Sequence, residues 1–153
     1  MSNKSDVSPL EAHVGYWLRF VSNHVSHAFM QKLAQQGVTV AEWAVMRRLL
    51  ETGRLNPSQM ADQMGMTRGA ISKLVDRLCQ KELVVRATSE GDQRYQTIEL
   101  SVAGRRLVPS LARLADENDH EFFGHLNPNQ TDSLVRLLQD IVNRNGWKDL
   151  PVS

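Results

Sequence analysis

The segment from Thr67 to Arg77 carries the chain's most suggestive chemistry. Arg68, Gly69, Ser72, Lys73, Asp76 and Arg77 alternate with Ile71, Leu74, Val75 and Leu78 at helical spacing. On an α-helix these two sets fall on opposite faces. The outer set is small, hydroxylated or cationic. Small residues permit close approach, hydroxyls reach phosphate oxygens or base edges, and Arg or Lys can bond guanine. Thr67 is placed to cap such a helix, whose first amides would suit a phosphate. A second cluster, Asp92-Gln93-Arg94, stands in the polar stretch TSEGDQRYQTIEL. Arg94 has the chemistry to enter a narrow minor groove, where the negative potential is enhanced. Asp92 reads either as a turn residue after Gly91 or as the acceptor that holds Arg94, Arg77 or Arg68 in place.

The elements that must position these residues are legible from helix punctuation. Ser8-Pro9-Leu10-Glu11 reads as a capping box opening a long first helix, about residues 9–36, with Leu10, Val14, Trp17, Leu18, Val21, Val25, Ala28 and Leu33 along one stripe. Thr39-Val40-Ala41-Glu42 opens a second helix that Gly53 ends. Asn56-Pro57-Ser58-Gln59 opens a short third, broken at Gly65. The fourth runs from Thr67 to about Lys81, and the tight turn at Gly65-Met66 makes a helix-turn-helix. Leu83–Thr88 and Tyr95–Leu100 have strand character around a turn at Ser89–Arg94. A fifth helix starts at Ser101 and ends near Gly124, with Leu107, Leu111, Leu114, Phe122 and Phe123 apolar. A sixth opens at Asn127-Pro128-Asn129-Gln130, with Leu134, Leu137, Leu138, Ile141 and Val142 expected inside. An isolated hairpin is marginal in water, so this one must lean on the helices. A helix-turn-helix followed by a hairpin is a winged helix, and the hairpin tip would reach beside the groove the helix enters.

Composition narrows the function classes. The chain has 153 residues, 41% hydrophobic and 23% charged, as expected of one soluble domain. No apolar run approaches a membrane span, and the N-terminus lacks the apolar stretch of a signal peptide. The single Cys precludes an internal disulfide and suits a reducing cytoplasm. Net charge is +1, but residues 67–106 hold eight Lys/Arg against five Asp/Glu, while residues 107–153 hold four against seven. The basic excess coincides with the two clusters above, as a polyanion partner would require. No phosphate loop, nucleophile elbow or His-Glu-x-x-His motif is present, so no enzyme is read here, and no cofactor or metal. His24 and His27 share a helix face, with His120 and His125 elsewhere, but no carboxylate or Cys completes a ligand set. Cys79 reads as a half-buried, inert thiol.

Several stretches resemble the MarR family of bacterial transcription regulators: GVTVAEWAVMRRL, NPSQMADQMGMTRGAISKLVDRLCQKELVVR and GDQRYQTIELSVAG. Leu78 to Arg86 follows the family's Leu-x-x-x-Gly-Leu-Val-x-Arg pattern with Glu82 in place of Gly. Asp92-x-Arg94 matches the wing motif, and Leu100-Ser101-Val102-Ala103-Gly104 matches Leu-Thr-x-x-Gly. The resemblance covers about residues 10–143. It implies a mainly α fold of about six helices plus a two-stranded wing. The expected organisation is a single domain, 1–153, with a DNA-binding portion at 38–100 and a helical dimerisation portion at 9–36 and 101–145. It implies a homodimeric repressor that binds double-stranded DNA at a pseudo-palindrome, through Thr67, Arg68, Gly69, Ser72, Lys73, Arg77, Asp92, Gln93 and Arg94. Assembly accords with the number of large aromatics, Trp17, Phe20, Phe29, Phe122 and Phe123, that one small chain would have to bury; Leu111 is expected on the assembly face. The resemblance further implies release by a small aromatic effector between the two portions, which by position would meet His13, Trp17, Val21, Trp43 and Arg47. The alternatives are a winged helix that binds protein, or a metal- or redox-responsive regulator. A protein-binding module would want an apolar or acidic outer face on the fourth helix, which this chain lacks.

Overall fold

A computed structural model describes residues 6–88 and 96–147. It contains a 3-10 turn at Leu10–Ala12, then α1 (Val14–Gln35), α2 (Val40–Thr52), α3 (Pro57–Met64), α4 (Arg68–Gln80), β1 (Val84–Thr88), β2 (Gln96–Leu100), α5 (Val102–Phe123) and α6 (Pro128–Asn145). The fold is mainly α, a winged helix-turn-helix carried among longer helices.

Local chemistry sets most boundaries. Thr39 and Glu42 form a reciprocal capping box at α2, as Asn56 and Gln59 do at α3 and Asn127 and Gln130 at α6. Thr67 Oγ1 accepts the Ala70 amide at 3.1 Å and opens α4. Gly65, at φ 61°, closes α3 in the left-handed region and lets the chain turn into α4. Glu82 occupies the same region at φ 60°. Its amide bonds Cys79 O and the Leu83 amide bonds Leu78 O, the pairing of a Schellman cap.

The first helix starts later than its sequence pattern predicts. Ser8-Pro9 opens only the 3-10 turn, and α1 begins behind an extended His13 whose side chain makes no cap. Side chains replace the helical amides there: His13 Nδ1 donates to Pro9 O at 3.1 Å and Trp17 Nε1 donates to Glu11 O at 2.8 Å. The carbonyls are thereby satisfied without a continuous helix.

The core joins α2, α3, α4, the hairpin and the first half of α5. Val45, Met46, Leu49, Met60, Ile71, Leu78, Ile98, Val108 and Leu111 are fully enclosed, with Leu33 from the end of α1. Leu111 therefore belongs to the single chain's interior and not to an assembly face. The strands pair antiparallel from Val84↔Leu100 to Thr88↔Gln96. Leu55 bridges the far side of β2, with Leu55 N to Ile98 O at 3.1 Å and Ile98 N to Leu55 O at 2.8 Å. This bridge and the burial of Ile98 give the hairpin the support an isolated one lacks.

The outer helices depart most from expectation. No residue of α6 is buried, and Leu134, Leu137, Leu138, Ile141 and Val142 all face outward from the chain, Leu137 at 64% exposure. Of the α1 stripe only Leu33 is buried; Val14, Trp17, Leu18, Phe20 and Val21 are exposed. Both helices are amphipathic as read, but the apolar side of α6 and that of the first half of α1 are exposed in the single chain. At the other end of α1, Asn118 is buried against it. Asn118 Nδ2 donates to Val25 O at 3.1 Å, and Lys32 Nζ donates to Asn118 Oδ1 at 3.0 Å and to Glu121 at 2.6 Å. No helix among the described residues is long and apolar enough to cross a membrane.

Candidate nucleic-acid interface

The outer face of α4 is built as its sequence requires. Ile71, Leu74, Val75 and Leu78 are buried, which turns Arg68, Gly69, Ser72, Lys73, Asp76 and Arg77 to solvent. Thr67 is exposed at the cap, and its hydroxyl takes the Ala70 amide. The amides of Arg68 and Gly69, in the first turn, have no intrahelical acceptor and point out of the helix end. No close contact among the described residues requires Gly at position 69. A Cβ there would meet no atom within 4 Å. In the first turn of α4, with no positive φ, this Gly leaves the helix end open to close approach from solvent.

Charge on this face is selectively cancelled. Asp76 is engaged by Arg86 of β1, a contact between the carboxylate and the guanidinium that ties the hairpin to α4. Arg68, Lys73 and Arg77 have no ion-pair partner among the described residues, so the face remains cationic. On the other side of the hairpin Arg54 Nε reaches Glu99 at 2.9 Å, which ties β2 to the loop before α3. Two ion pairs and the Leu55 bridge thus fix the hairpin base beside the cationic helix. Asp92, Gln93 and Arg94 lie outside the described residues.

The residues expected to meet an effector occupy two places. His13 stands just before α1, and Trp17 and Val21 lie on its exposed first half, where Trp17 stands edge-on to Tyr16. Trp43 is half-buried on α2 and packs edge-on against Phe29, with ring centroids 6.5 Å apart. Arg47 is exposed and pairs with Glu51 one turn on, at 3.1 Å. No hydrogen bond, ion pair or ring contact among the described residues joins the two groups. Cys79 is half-buried against the core. His24 packs on Phe20, and no group of three His, Cys, Asp or Glu among the described residues is arranged for a metal.

Sequence reasoning missed one buried charge. Glu42 is completely enclosed, and Lys81 Nζ lies 2.9 Å from Oε1 and 2.8 Å from Oε2. Burial pushes this carboxyl up, but the Lys81 ammonium and the Thr39 amide and hydroxyl more than offset it, holding Glu42 below its ordinary 4.5. The capping box marks Glu42; nothing local marks Lys81, 39 residues away.

Residues 36–94 match the model of the MarR family. The regulator SarZ of Staphylococcus epidermidis is 23% identical over 124 residues, 81% of this chain and 82% of that protein. Over that segment the chain is similar to the MarR family. Two solved structures align with this chain over most of its length. One is a mutant of Escherichia coli MarR complexed with operator DNA: TM-score 0.73, 19% identity, 84% of this chain and 93% of that one. The other is Bordetella bronchiseptica BpsR, whose DNA binding is regulated by 6-hydroxynicotinic acid: TM-score 0.74, 22% identity, 88% and 96%.

Proposed function

We propose that this chain is a transcriptional regulator, a repressor, that binds double-stranded DNA sequence-specifically as a homodimer. The observation that carries the reading is the outward face of α4. It combines a Gly that leaves the helix end open, free helix-end amides, hydroxyls at Thr67 and Ser72, and three cations at Arg68, Lys73 and Arg77. Asp92, Gln93 and Arg94 of the wing complete the contact surface, with 38–100 as the DNA-binding portion. The exposed apolar sides of α1 and α6 support assembly through 9–36 and 101–145. Two copies would present their α4 helices to successive major grooves, roughly 34–36 Å apart, and so read a pseudo-palindrome. A small aromatic effector at His13, Trp17, Val21, Trp43 and Arg47 would shift the dimer between states of different helix spacing. Two features support that part of the reading: the exposed indole of Trp17 beside the unpartnered α1 face, and the behaviour of BpsR.

The test is a binding titration across salt concentrations. Affinity should fall steeply, by about 0.9 logarithmic units per phosphate contact for each tenfold rise in salt. Arg68→Ala should keep the wild-type circular dichroism spectrum and lose about 1–3 kcal/mol of DNA affinity. A folded Arg68→Ala protein with undiminished affinity would refute the assignment of α4.

A further inference from the structure

Glu42 is the one carboxylate that the described chain encloses completely, and contact with DNA does not account for it. Its ammonium partner occupies a junction. Lys81 is the residue at which α4 ends. Its Nζ donates to Glu42 Oε1 at 2.9 Å and to Gly37 O at 2.8 Å, and it stands 2.8 Å from Glu42 Oε2. Gly37 lies just beyond α1, and Glu42 in the first turn of α2. One ammonium therefore joins the exit of α1, the entry of α2 and the exit of α4. Simple cohesion does not require a charge here, since apolar side chains of similar volume commonly serve a buried site as well or better. The ion pair adds direction: hydrogen bonds to Glu42 Oε1 and Gly37 O, with Glu42 Oε2 at 2.8 Å, hold Nζ in one position. Leu78 and Leu83 are buried on either side of Lys81, so the end of α4 cannot shift without moving the clasp.

We infer that Glu42 and Lys81 are positioning residues for DNA recognition, a clasp that sets the angle of α4 against α1. The inference rests on the reading of α4 as the recognition helix. In a dimer built through α1, that angle fixes the separation of the two α4 helices. Neither residue touches DNA in this scheme: Lys81 stands at the opposite end of α4 from Thr67 and Arg68. Loss of the clasp should therefore damage discrimination between sites and spare the general attraction to phosphate.

The experiment compares wild type, Glu42→Gln, Lys81→Met, Lys81→Arg and the double variant Glu42→Gln/Lys81→Met. Glu42→Gln keeps the acceptor for the Thr39 amide and removes the charge. Lys81→Met keeps the apolar stem, and Lys81→Arg keeps the cation. Fluorescence anisotropy is read with a duplex selected by the wild-type protein from a randomised pool, and with an unrelated duplex of equal length, across a salt series. Glu42→Gln and Lys81→Met should lose about tenfold on the selected duplex, little on the unrelated one, with an unchanged salt slope; Lys81→Arg should regain most of the loss. Equal losses on both duplexes with a shallower slope would make Lys81 a phosphate contact and overturn the inference. Unchanged affinity for the selected duplex would overturn it too. If a single variant fails to fold because a lone charge is buried, the neutral double variant decides by the same criteria. Salt-insensitive wild-type behaviour toward every duplex would instead remove the reading of α4 itself, an outcome separate from failure of the clasp.

Discussion

Gly104→Ala probes the corner where the wing returns to the helices. Gly104 lies in the first turn of α5, buried against the end of the α4–β1 connection. A Cβ at this position would stand 2.1 Å from Leu83 O, 3.1 Å from Leu83 C and 3.2 Å from Leu100 Cδ2. The helix would have to retreat by roughly 1.5 Å to restore ordinary contact. That retreat pulls on a hydrogen-bonded knot: Ser101 N donates to Leu83 O at 3.0 Å, Ser101 Oγ donates to Glu82 O at 2.7 Å, and the Gly104 amide donates to Ser101 Oγ at 3.0 Å. It also loosens Val108 and Leu111, buried one and two turns further along α5. Overpacking costs about 1–3 kcal/mol, a weakened hydrogen bond adds about 1 kcal/mol, and the better helix propensity of Ala returns about 1 kcal/mol. The net expectation is a destabilisation of about 1–3 kcal/mol. With a urea slope of about 2 kcal/mol/M, the unfolding midpoint should fall by about 1 M at matched protein concentration. Gly69→Ala is the control: with open space around its Cβ it should raise the midpoint slightly while weakening DNA binding. A Gly104→Ala midpoint equal to wild type, at unchanged slope, would refute the steric reasoning.

Other substitutions test separate parts of the structure. Glu82→Gly removes a left-handed L-residue, a conformation that costs about 1–2 kcal/mol, against a backbone-entropy loss of about 0.5–1 kcal/mol. A rise in Tm of about 1–3 °C should follow, and a fall would mean the Glu82 side chain stabilises the corner by other means. Leu138→Asp, on the exposed apolar side of α6, should shift sedimentation toward the monomer at micromolar concentration; an intact dimer would exclude that side from the interface. Acid unfolding should differ between wild type and Glu42→Gln. A carboxyl held low in the folded state stabilises it above its unfolded value, and that contribution disappears as pH falls from about 4.5 through the folded value. The stability gap between the two proteins should therefore close on acidification below about pH 4.5. A gap constant with pH would mean that Glu42 acts through shape alone.

What could be read beforehand was local. The capping boxes at Thr39, Asn56 and Asn127 each use partners three residues apart, so their spelling suffices. Glu82, which fills the Gly position of the Leu78–Arg86 pattern, takes the left-handed conformation that a Gly there would take freely. The inner and outer faces of α4 were legible because one face packs within the chain. The start of α1 was not, because His13 and Trp17 side chains take over carbonyls that a helix would otherwise satisfy. The stripe of α6 identified an amphipathic helix but not its surroundings: Leu137 and Leu138 follow the same period whether they face this chain or another. Ion pairs between distant segments, Glu42–Lys81 and Asp76–Arg86, leave no periodic trace at all.

The bridge between Leu55 and Ile98 has an evolutionary corollary. β2 is held on both edges, and a one-residue slip would swing Ile98 out of the interior, so its alignment tolerates no compromise. Selection on the alignment of β2 therefore acts through Leu55 and Ile98 themselves, from both edges of the strand at once.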